Sequence, residues 1–430
     1  MADPQWHDVQ SCFNACALTG AAAFFAGIED AVIVGNGPLW CYFYALRFLE
    51  HSCPDIANRF FCSQVDNNAV IYGTEEALLA TLQTVKETTR PSVVFIESSC
   101  SVSLIGDDLA AIARQAAMPC PVICLESGGL SGGLQEGYRA AAKAYFSAIP
   151  LPQGLPRKAG TVNLLGATYG YYNAVSDVQE IKRLLGAAGY HVLACPGAGS
   201  CQDDIAVMAQ AELNVVLHAE LGLETALLLQ AQYGIPYVAG LPPYGVEGSW
   251  DWLCSVAQVS GRTKQALAIA GQERALLERR LRNATQEMER IWGEMWFNQV
   301  LVAAPASTAL GIAQAVRREW VDTTRLTIIA QGGILQPQIP AGLGRVIDAQ
   351  KDGQALADCL NQLTAGLLLA SSNERAWLYR SQQQAVVYQN IALPVYDEIR
   401  LSHRPFMGLQ GAVHLLECLW ERYIAVCQHP

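Results

Sequence analysis

Short apolar runs rich in Val and Ile alternate with amphipathic segments along most of this 430-residue chain. Three of these runs have the length of a strand and are each followed by a loop rich in glycine or serine: Ala31–Val34, Ser92–Ile96 and Pro121–Leu125. Buried strands that end in such loops are characteristic of parallel sheets. The alternation therefore predicts an α/β fold with three Rossmann-like domains built on parallel sheets.

Two segments without strand periodicity divide the chain into three units. Residues 149–160 are rich in proline and glycine, which is typical of a linker. From about Gly261 to Trp296 the sequence predicts one long polar helix that bridges two domains. We therefore predict domains at residues 1–155, 156–296 and 297–430. The third would include a C-terminal tail with a glycine turn at Gly408–Gly411 before a last helix.

The composition argues against several classes of function. The net charge is −11 and Lys and Arg form no cluster, so we expect no nucleic-acid partner. No apolar run resembles a membrane span and the first residues lack the basic region of a signal peptide, so we expect a cytoplasmic protein. The 14 cysteines are irregularly spaced, which does not fit a secreted disulfide framework. Such cysteines divide between buried thiols and metal ligands.

Three of the cysteines, Cys16, Cys41 and Cys100, lie in glycine-containing frames at or just after an apolar stretch. Taken alone, each is more often a buried structural thiol than a metal ligand. Glycine beside each one allows close backbone approach, and nearby N–H groups can donate hydrogen bonds to cluster sulfides. A cubane iron–sulfur cluster usually takes four thiolates, so three from one chain indicate that further ligands come from another chain.

The sequence resembles the nitrogenase component 1 superfamily, which includes nitrogenase subunits, a cofactor-assembly scaffold and light-independent tetrapyrrole reductases. The most specific resemblance is the spacing of the three cysteines, with Ile105-Gly-Asp-Asp108 after the third. Other segments support it: Ile71-Tyr-Gly73 with Glu75, Glu126-Ser-Gly-Gly-Leu-Ser-Gly-Gly133, Glu136-Gly-Tyr138, Tyr233-Gly-Ile-Pro-Tyr237, and Leu241-Pro-Pro-Tyr-Gly245 with Val259-Ser-Gly261. Together these segments extend the resemblance over most of the chain.

The resemblance implies a shared metal centre. Cys16, Cys41 and Cys100 would bind an iron–sulfur cluster at the interface with a related partner subunit. An [8Fe-7S] P-cluster is expected, and a [4Fe-4S] cluster is the alternative. Ser127 and Cys12 are further candidates for a ligand, although a turn serine and a buried thiol are the commoner roles.

The resemblance also implies which kind of subunit this is. In alpha subunits a cysteine of the second domain and a histidine of the third hold the active-site cofactor. Here the cysteine position carries His218, and His403 lies in a tail that resembles the end of beta subunits. This implies a beta-like oxidoreductase subunit without catalytic residues of its own. Its partners would be an alpha-like subunit, in a heterotetramer, and an ATP-dependent iron protein that delivers electrons.

Several reactions remain open at this point. Methylthio-alkane reductase is the leading specific activity that the resemblance implies. A cofactor-assembly scaffold and a subunit of a dark-operative tetrapyrrole reductase are the alternatives. The glycine-rich loops at Cys195–Cys201 and Gly166–Gly170 lack the features of a P-loop or a dinucleotide fingerprint. We therefore expect neither ATP nor NAD to bind this chain.

Overall fold

The protein contains three parallel β-sheets, which follow one another along the chain. The computed structural model describes residues 15–334, 339–380, 385–399 and 401–428, apart from the side chains of 263–266 and 428; Cys12 therefore lies outside it. Within these residues every strand pair is parallel. The predicted α/β class with parallel sheets is confirmed, whereas the domain boundaries at 155/156 and 296/297 stay predictions.

The first sheet has the strand order β2-β1-β3-β4. Its strands are β1 (Ala31–Asn36), β2 (Phe60–Cys62), β3 (Val93–Ser98) and β4 (Val122–Glu126). Its helices are α1 (Ala17–Ala26), α2 (Leu39–Leu49), α3 (Asn67–Tyr72), α4 (Glu75–Thr88), α5 (Cys100–Ile105), α6 (Leu109–Ala116) and α7 (Leu134–Ala148). Helices α1 and α7 cover one face, and α4 and α6 cover the other. The strand order reverses between β1 and β3, which is where open α/β sheets commonly bind ligands.

The second sheet has the order β6-β5-β7-β8 and the third the order β11-β10-β9-β12-β13. The second comprises β5 (Lys158–Leu165), β6 (His191–Ala194), β7 (Ala211–Val216) and β8 (Tyr237–Ala239), with α8 (Ala174–Ala187), α9 (Gln202–Ala206), α10 (Ala219–Tyr233) and α11 (Gly245–Val259). Helix α12 (Thr263–Trp292) leads to the third sheet. This comprises β9 (Trp296–Pro305), β10 (Asp322–Gln331), β11 (Arg345–Asp348), β12 (Gly366–Ala370) and β13 (Val386–Asn390), with α13 (Ala306–Ala315), α14 (Ala355–Gln362), α15 (Ser372–Arg380) and α16 (Gly408–Gln428).

Helix α1 is buried along its whole length in a core that the first two sheets share. Its small residues allow a close approach to α7. A Cβ atom on Gly20 would lie only 2.0 Å from the carbonyl oxygen of Leu134, so no larger residue fits there. A second core joins the second and third sheets. Because α1 is packed so tightly, Cys16 at its start has a fixed position.

The glycine turn predicted at Gly408–Gly411 is limited to its first residue: Gly408 has a φ of +74°, and α16 runs from there through Gly411. Three residues of this helix, Leu409, Ala412 and Leu415, are buried at helical spacing and pack against the core.

The predicted long helix is confirmed as α12, but it ends at Trp292. That it bridges two domains stays a prediction. The next residue, Gly293, has a φ of +79°, which glycine adopts readily and which does not continue a helix. The chain then enters β9 at Trp296. In the part of the chain that the structure describes, no helix is long and apolar enough to cross a membrane.

Candidate metal centre

The three predicted ligand cysteines lie at helix starts beside the first sheet. Cys41 is in the first turn of α2, which follows β1, and Cys100 is the first residue of α5, which follows β3. Because β1 and β3 are neighbouring parallel strands, both loops leave the same edge of the sheet. Cys16 is the N-cap residue of α1 and forms an isolated β-bridge with Gly133, just before α7. Three separate segments thus converge on one edge of the sheet.

Contacts around Gly129 show that Cys16 and Cys100 border the same small space. A Cβ atom on Gly129 would lie 3.3 Å from the Cys16 Cβ and 3.5 Å from the Cys100 Sγ. The Gly129 N–H donates a hydrogen bond to the Cys100 Sγ at 2.9 Å. A side chain here would fill the space between the two cysteines, so glycine keeps it open.

Cys41 belongs to the same group, because its thiol interacts electrostatically with the other two. Burial is the largest cause of a raised pKa at the Cys41 thiol, and four neighbouring acidic groups act in the same direction: Cys16, Cys100, Cys62 and Glu97. Thiolates close together repel one another, so the metal-free site keeps this sulfur protonated. Binding of a metal would release that proton.

Two buried polar side chains near Cys100 have no hydrogen-bonding partner among the described residues. Neither carboxyl oxygen of Glu97, near the end of β3, is bonded, and the same is true of the Ser127 hydroxyl just after β4. Burial raises the pKa of Glu97 well above its usual range. An unsatisfied buried polar atom costs about 1–3 kcal/mol. Such atoms therefore fit a site that a bound group completes.

The thiol groups at this site fit the ligand set of an iron–sulfur cluster better than that of a single metal ion. Within the described ranges of the chain, no three His, Cys, Asp or Glu side chains come together as ligands of one ion. In a cubane cluster each thiolate binds a different iron atom, so the ligands surround the cluster and do not converge on one point. Three thiols with a backbone N–H directed at one of them match that requirement.

A chain of hydrogen bonds holds the loops that carry two of the cysteines. The Ser63 hydroxyl donates to the Asn36 side chain at 2.7 Å, and the Asn36 amide donates to the Thr74 hydroxyl at 2.9 Å. Thr74 donates to the Asp107 carboxylate through its N–H at 2.6 Å and its hydroxyl at 2.7 Å. Asp107 belongs to the segment Ile105–Asp108 that carries the family resemblance. Its carboxylate therefore positions the loops around the site.

An exposed apolar surface surrounds the cysteines. Its large side chains are between 41% and 86% exposed: Leu39, Trp40, Phe43, Tyr44, Val70, Ile71, Tyr72, Leu104 and Leu130. We call these residues the cysteine-face patch. They lie on α2, α3 and α5 and in the turn Gly129–Ser131, the elements that carry or contact the cysteines. Apolar surfaces of this extent are uncommon on monomers and mark interaction sites.

A cavity lies between the three sheets. It is lined by residues of all three units, among them Gln135, Tyr171, His218, Thr308 and Gln331, and its volume is about 50 Å³. Since one water needs roughly 10–15 Å³ measured in this way, the cavity accommodates a few water molecules. The predicted lack of a substrate-reducing cofactor in this chain stays a prediction.

His218 lines this cavity as a neutral imidazole. The Ser307 hydroxyl donates to the Glu220 carboxyl at 2.8 Å, so at 2.7 Å it accepts a hydrogen bond from His218 Nδ1. This network assigns the proton to Nδ1. Among the described residues Nε2 makes no hydrogen bond. Burial lowers the pKa of His218 to about 3, so the ring is uncharged at neutral pH.

Sequence reasoning missed the groups around His218. The Glu220 carboxyl accepts from the Ser307 N–H at 3.3 Å and the Tyr171 hydroxyl at 3.1 Å, and burial raises its pKa. Tyr171 and Ser307 lie after the carboxyl ends of β5 and β9, where α/β proteins place their sites, so strand position could have identified them. The network links the second and third sheets.

We expect His218→Asn to fold and to be less sensitive to acid than the wild type. The folded protein holds the ring neutral with a pKa of about 3, while the unfolded chain protonates it with a pKa of 6.5. Its contribution to stability is therefore complete above pH 6.5 and is lost as the pH falls toward 3. The loss approaches about 1.4 kcal/mol per pH unit, or roughly 2 kcal/mol at pH 5.

Thermal unfolding at about pH 7.5 and pH 5 measures this difference. The asparagine amide can replace the Nδ1–H donor to Ser307 but does not titrate. The control is His191→Asn, which removes an exposed histidine at the start of β6 and should unfold as the wild type does. An acid-induced decrease in Tm as large in His218→Asn as in the wild type would show that this ring does not contribute.

Three parallel-sheet units around a central cavity, with cysteines at the switch point of the first sheet, are the features of a class of multidomain α/β oxidoreductases. Residues 16–423 match the sequence profile of the family described as nitrogenase component 1 type oxidoreductase. The chain therefore belongs to the nitrogenase component 1 family, and the resemblance inferred from the cysteine frames is confirmed.

Two kinds of curated relative illustrate this membership. The chain is 28% identical over 275 residues to the nitrogenase iron-molybdenum cofactor biosynthesis protein NifE of Clostridium pasteurianum, covering 62% of this chain and 59% of that protein. It is 32% identical over 182 residues to a light-independent protochlorophyllide reductase chain of Rubrivivax gelatinosus, covering 40% of this chain and 33% of that protein. The chain thus spans between a third and three fifths of these relatives' own length.

Solved structures share the fold over nearly the whole chain. A chain of the structure "Nitrogenase Cp1 at pH 6.5" superposes with a TM-score of 0.78 at 15% identity, covering 96% of this chain and 92% of that chain. At this identity the similarity concerns the fold alone. It confirms the predicted nitrogenase component 1 fold.

Proposed function

We propose that this chain is a beta-like subunit of a nitrogenase-like two-component reductase and that Cys16, Cys41 and Cys100 hold an interface iron–sulfur cluster. One observation carries the proposal: three cysteines from separate segments share a site kept open by glycine, and an exposed apolar patch surrounds them. A homologous alpha-like subunit would cover this patch in a heterotetramer and supply the remaining ligands. We propose an [8Fe-7S] P-cluster, with a [4Fe-4S] cluster as the alternative.

The residues of the site have distinct tasks in this proposal. The three thiolates bind iron. When bound, the cluster supplies one-electron redox chemistry between an ATP-dependent iron protein and the active-site cofactor of the partner. The Gly129 N–H donates a hydrogen bond to the Cys100 Sγ at 2.9 Å, and this bond stabilises negative charge on that sulfur. Trp40 and Leu130, exposed in this chain, would be buried against the partner and exclude water from the site.

The lining of the central cavity supports placing substrate reduction in the partner subunit. None of the described residues that line it is a cysteine, so the cavity offers no thiolate to a metal cofactor. The single imidazole of His218 is engaged through Nδ1 with Ser307. Methylthio-alkanes, whose C–S bond would be cleaved reductively in the partner, are the substrate class that we propose to test first.

The similarity to relatives of known name favours two other candidate functions. The NifE proteins are named for cofactor biosynthesis, and one of them, from Sinorhizobium fredii, matches 93% of this chain at 22% identity. A scaffold of that kind would bind a cofactor precursor without turning over a substrate. The protochlorophyllide reductase relatives favour a dark-operative tetrapyrrole reductase, in which the interface cluster would contain four irons.

Anaerobic purification of the tagged chain from its host tests these candidates. We expect a homologous partner to co-purify, together with iron and acid-labile sulfide in a ratio that separates [8Fe-7S] from [4Fe-4S]. Reduced iron protein and ATP should then change the electron paramagnetic resonance (EPR) spectrum before any product forms. A complex without iron would refute the proposal, and sustained reduction of a substrate would exclude the scaffold.

A further inference from the structure

Glu97 is the ionisable side chain of β3, and it lies beneath the cysteine site. It is 0% exposed, and neither of its carboxyl oxygens makes a hydrogen bond within the described part of the chain. The alternation of side chains along β3 places it on the same face as Phe95, toward α1 and α7. Cys41 packs against the same apolar core, and Glu97 is one of the acidic groups that raise the pKa of its thiol.

Among the described residues, no positive charge compensates for Glu97. The elements packed most closely against β3 are α1, β1, β4 and α5. The ionisable side chains of these elements, and of the residue that caps α1, are all thiols or acids: Cys16, Cys100, Cys124 and Glu126. Helix α2 adds Cys41, Tyr42 and Tyr44, and its Arg47 is exposed and paired with Glu50. Helix α7 adds Tyr138 and Tyr145; its Arg139 is paired with Glu136, and its Lys143 is exposed. Burial is the sole cause of the raised pKa of Glu97.

A carboxyl group in such a place keeps its proton unless a nearby charge changes. An isolated carboxylate is poorly solvated in the protein interior, so the neutral acid is the stable form. Added negative charge at the cysteines raises the pKa of such a carboxyl group, and loss of that charge lowers it. Because the interior screens charges poorly, this effect acts without a direct hydrogen bond.

We propose that Glu97 is a proton-loading group of the cysteine site, taking up one proton when the site gains one electron and releasing it when the electron leaves. This inference rests on the proposed function, in which a redox-active group is held by Cys16, Cys41 and Cys100. The electron comes from the iron protein, or from dithionite in vitro, and the proton comes from solvent and bonds to a Glu97 carboxyl oxygen. The net charge of the buried site then stays constant, which avoids an uncompensated buried charge.

Potentiometric titration of the anaerobically purified complex at several pH values tests this coupling, with the EPR signal of the site as the readout. The wild-type midpoint potential should fall by about 59 mV per pH unit, the one-electron value for a tenfold change in proton concentration. Glu97→Gln has nearly the same shape but cannot titrate, so its potential should not vary with pH. Glu97→Asp keeps a carboxyl group and should retain the dependence.

The matched control is Glu126→Gln. Glu126 ends β4, beside Ser98 of β3, and its side chain is exposed, so removing this carboxylate leaves the buried acid in place. The wild-type pH dependence should therefore persist in this variant. A wild-type potential independent of pH, or an unchanged dependence in Glu97→Gln, would overturn the inference while leaving the proposed function intact.

Infrared difference spectroscopy gives a second readout on the wild-type complex itself. Reduction should produce the C=O band of a protonated carboxyl group, and this band should be missing from Glu97→Gln. Its absence from the wild-type spectrum would also overturn the inference. A purified complex without iron would refute the proposed function, and this inference with it, so the two failures are distinguishable.

Discussion

Cys41→Ala should leave the chain folded and remove most of the iron from the purified complex. Loss of an outer-shell partner already weakens metal binding about 10–100-fold, and loss of a direct thiolate should exceed that. Cys41 is only half-buried, and alanine is the best helix former for its position in α2. We therefore expect an unchanged circular dichroism spectrum, iron and sulfide reduced at least about tenfold, and no electron delivery from the iron protein.

The choice of Cys41 and of its control follows from the contacts of the other cysteines. The Cys100 Sγ accepts the Gly129 N–H, so its removal would also leave a backbone donor unpaired. Cys124→Ala is the control, because that thiol is half-buried on β4 and its charged neighbours are Asp108 and Arg114. It should retain wild-type iron. Full iron in Cys41→Ala as well would show that this cysteine is not a ligand.

The strands were predictable because buried parallel strands are apolar throughout and short. The runs that begin at Ala31, Ser92 and Pro121 lie within one or two residues of β1, β3 and β4. Helix α1 was harder to place, because it is apolar on every side and therefore shows no face toward a neighbour. Its position between the first two sheets depends on the close packing of Gly20 against α7, which no periodicity reveals.

The site was predictable to different degrees. Cys41 and Cys100 follow neighbouring parallel strands, so their proximity follows from the topology alone. Cys16 joins them only through the packing of α1. Glu97 gave no signal, because a glutamate near the end of a strand is usually solvated. Its burial became visible only when the register of β3 between β1 and β4 was known.

Trp40→Asp should weaken binding of the partner subunit on the order of 30-fold or more while leaving the chain folded. Trp40 is 66% exposed beside Cys41, and its ring lies edge-on to Phe43 at 5.9 Å. Loss of an interface tryptophan commonly costs about 2 kcal/mol or more, and about 1.4 kcal/mol corresponds to a factor of ten. The new carboxylate would also be buried without a partner. Folding should not suffer, because aspartate in the first turn of a helix interacts favourably with its dipole.

Sedimentation velocity of the anaerobically purified proteins measures the association directly. The control Leu276→Asp introduces the same charge at a leucine that is 61% exposed on α12, a helix that carries none of the cysteine-face patch. It should bind the partner as the wild type does. Because the proposed cluster needs ligands from both chains, Trp40→Asp should also make its iron accessible to chelators. If Trp40→Asp bound the partner subunit as tightly as the wild type does, the partner would not cover this patch. The three thiolates would then need another source for the ligands that complete a cluster.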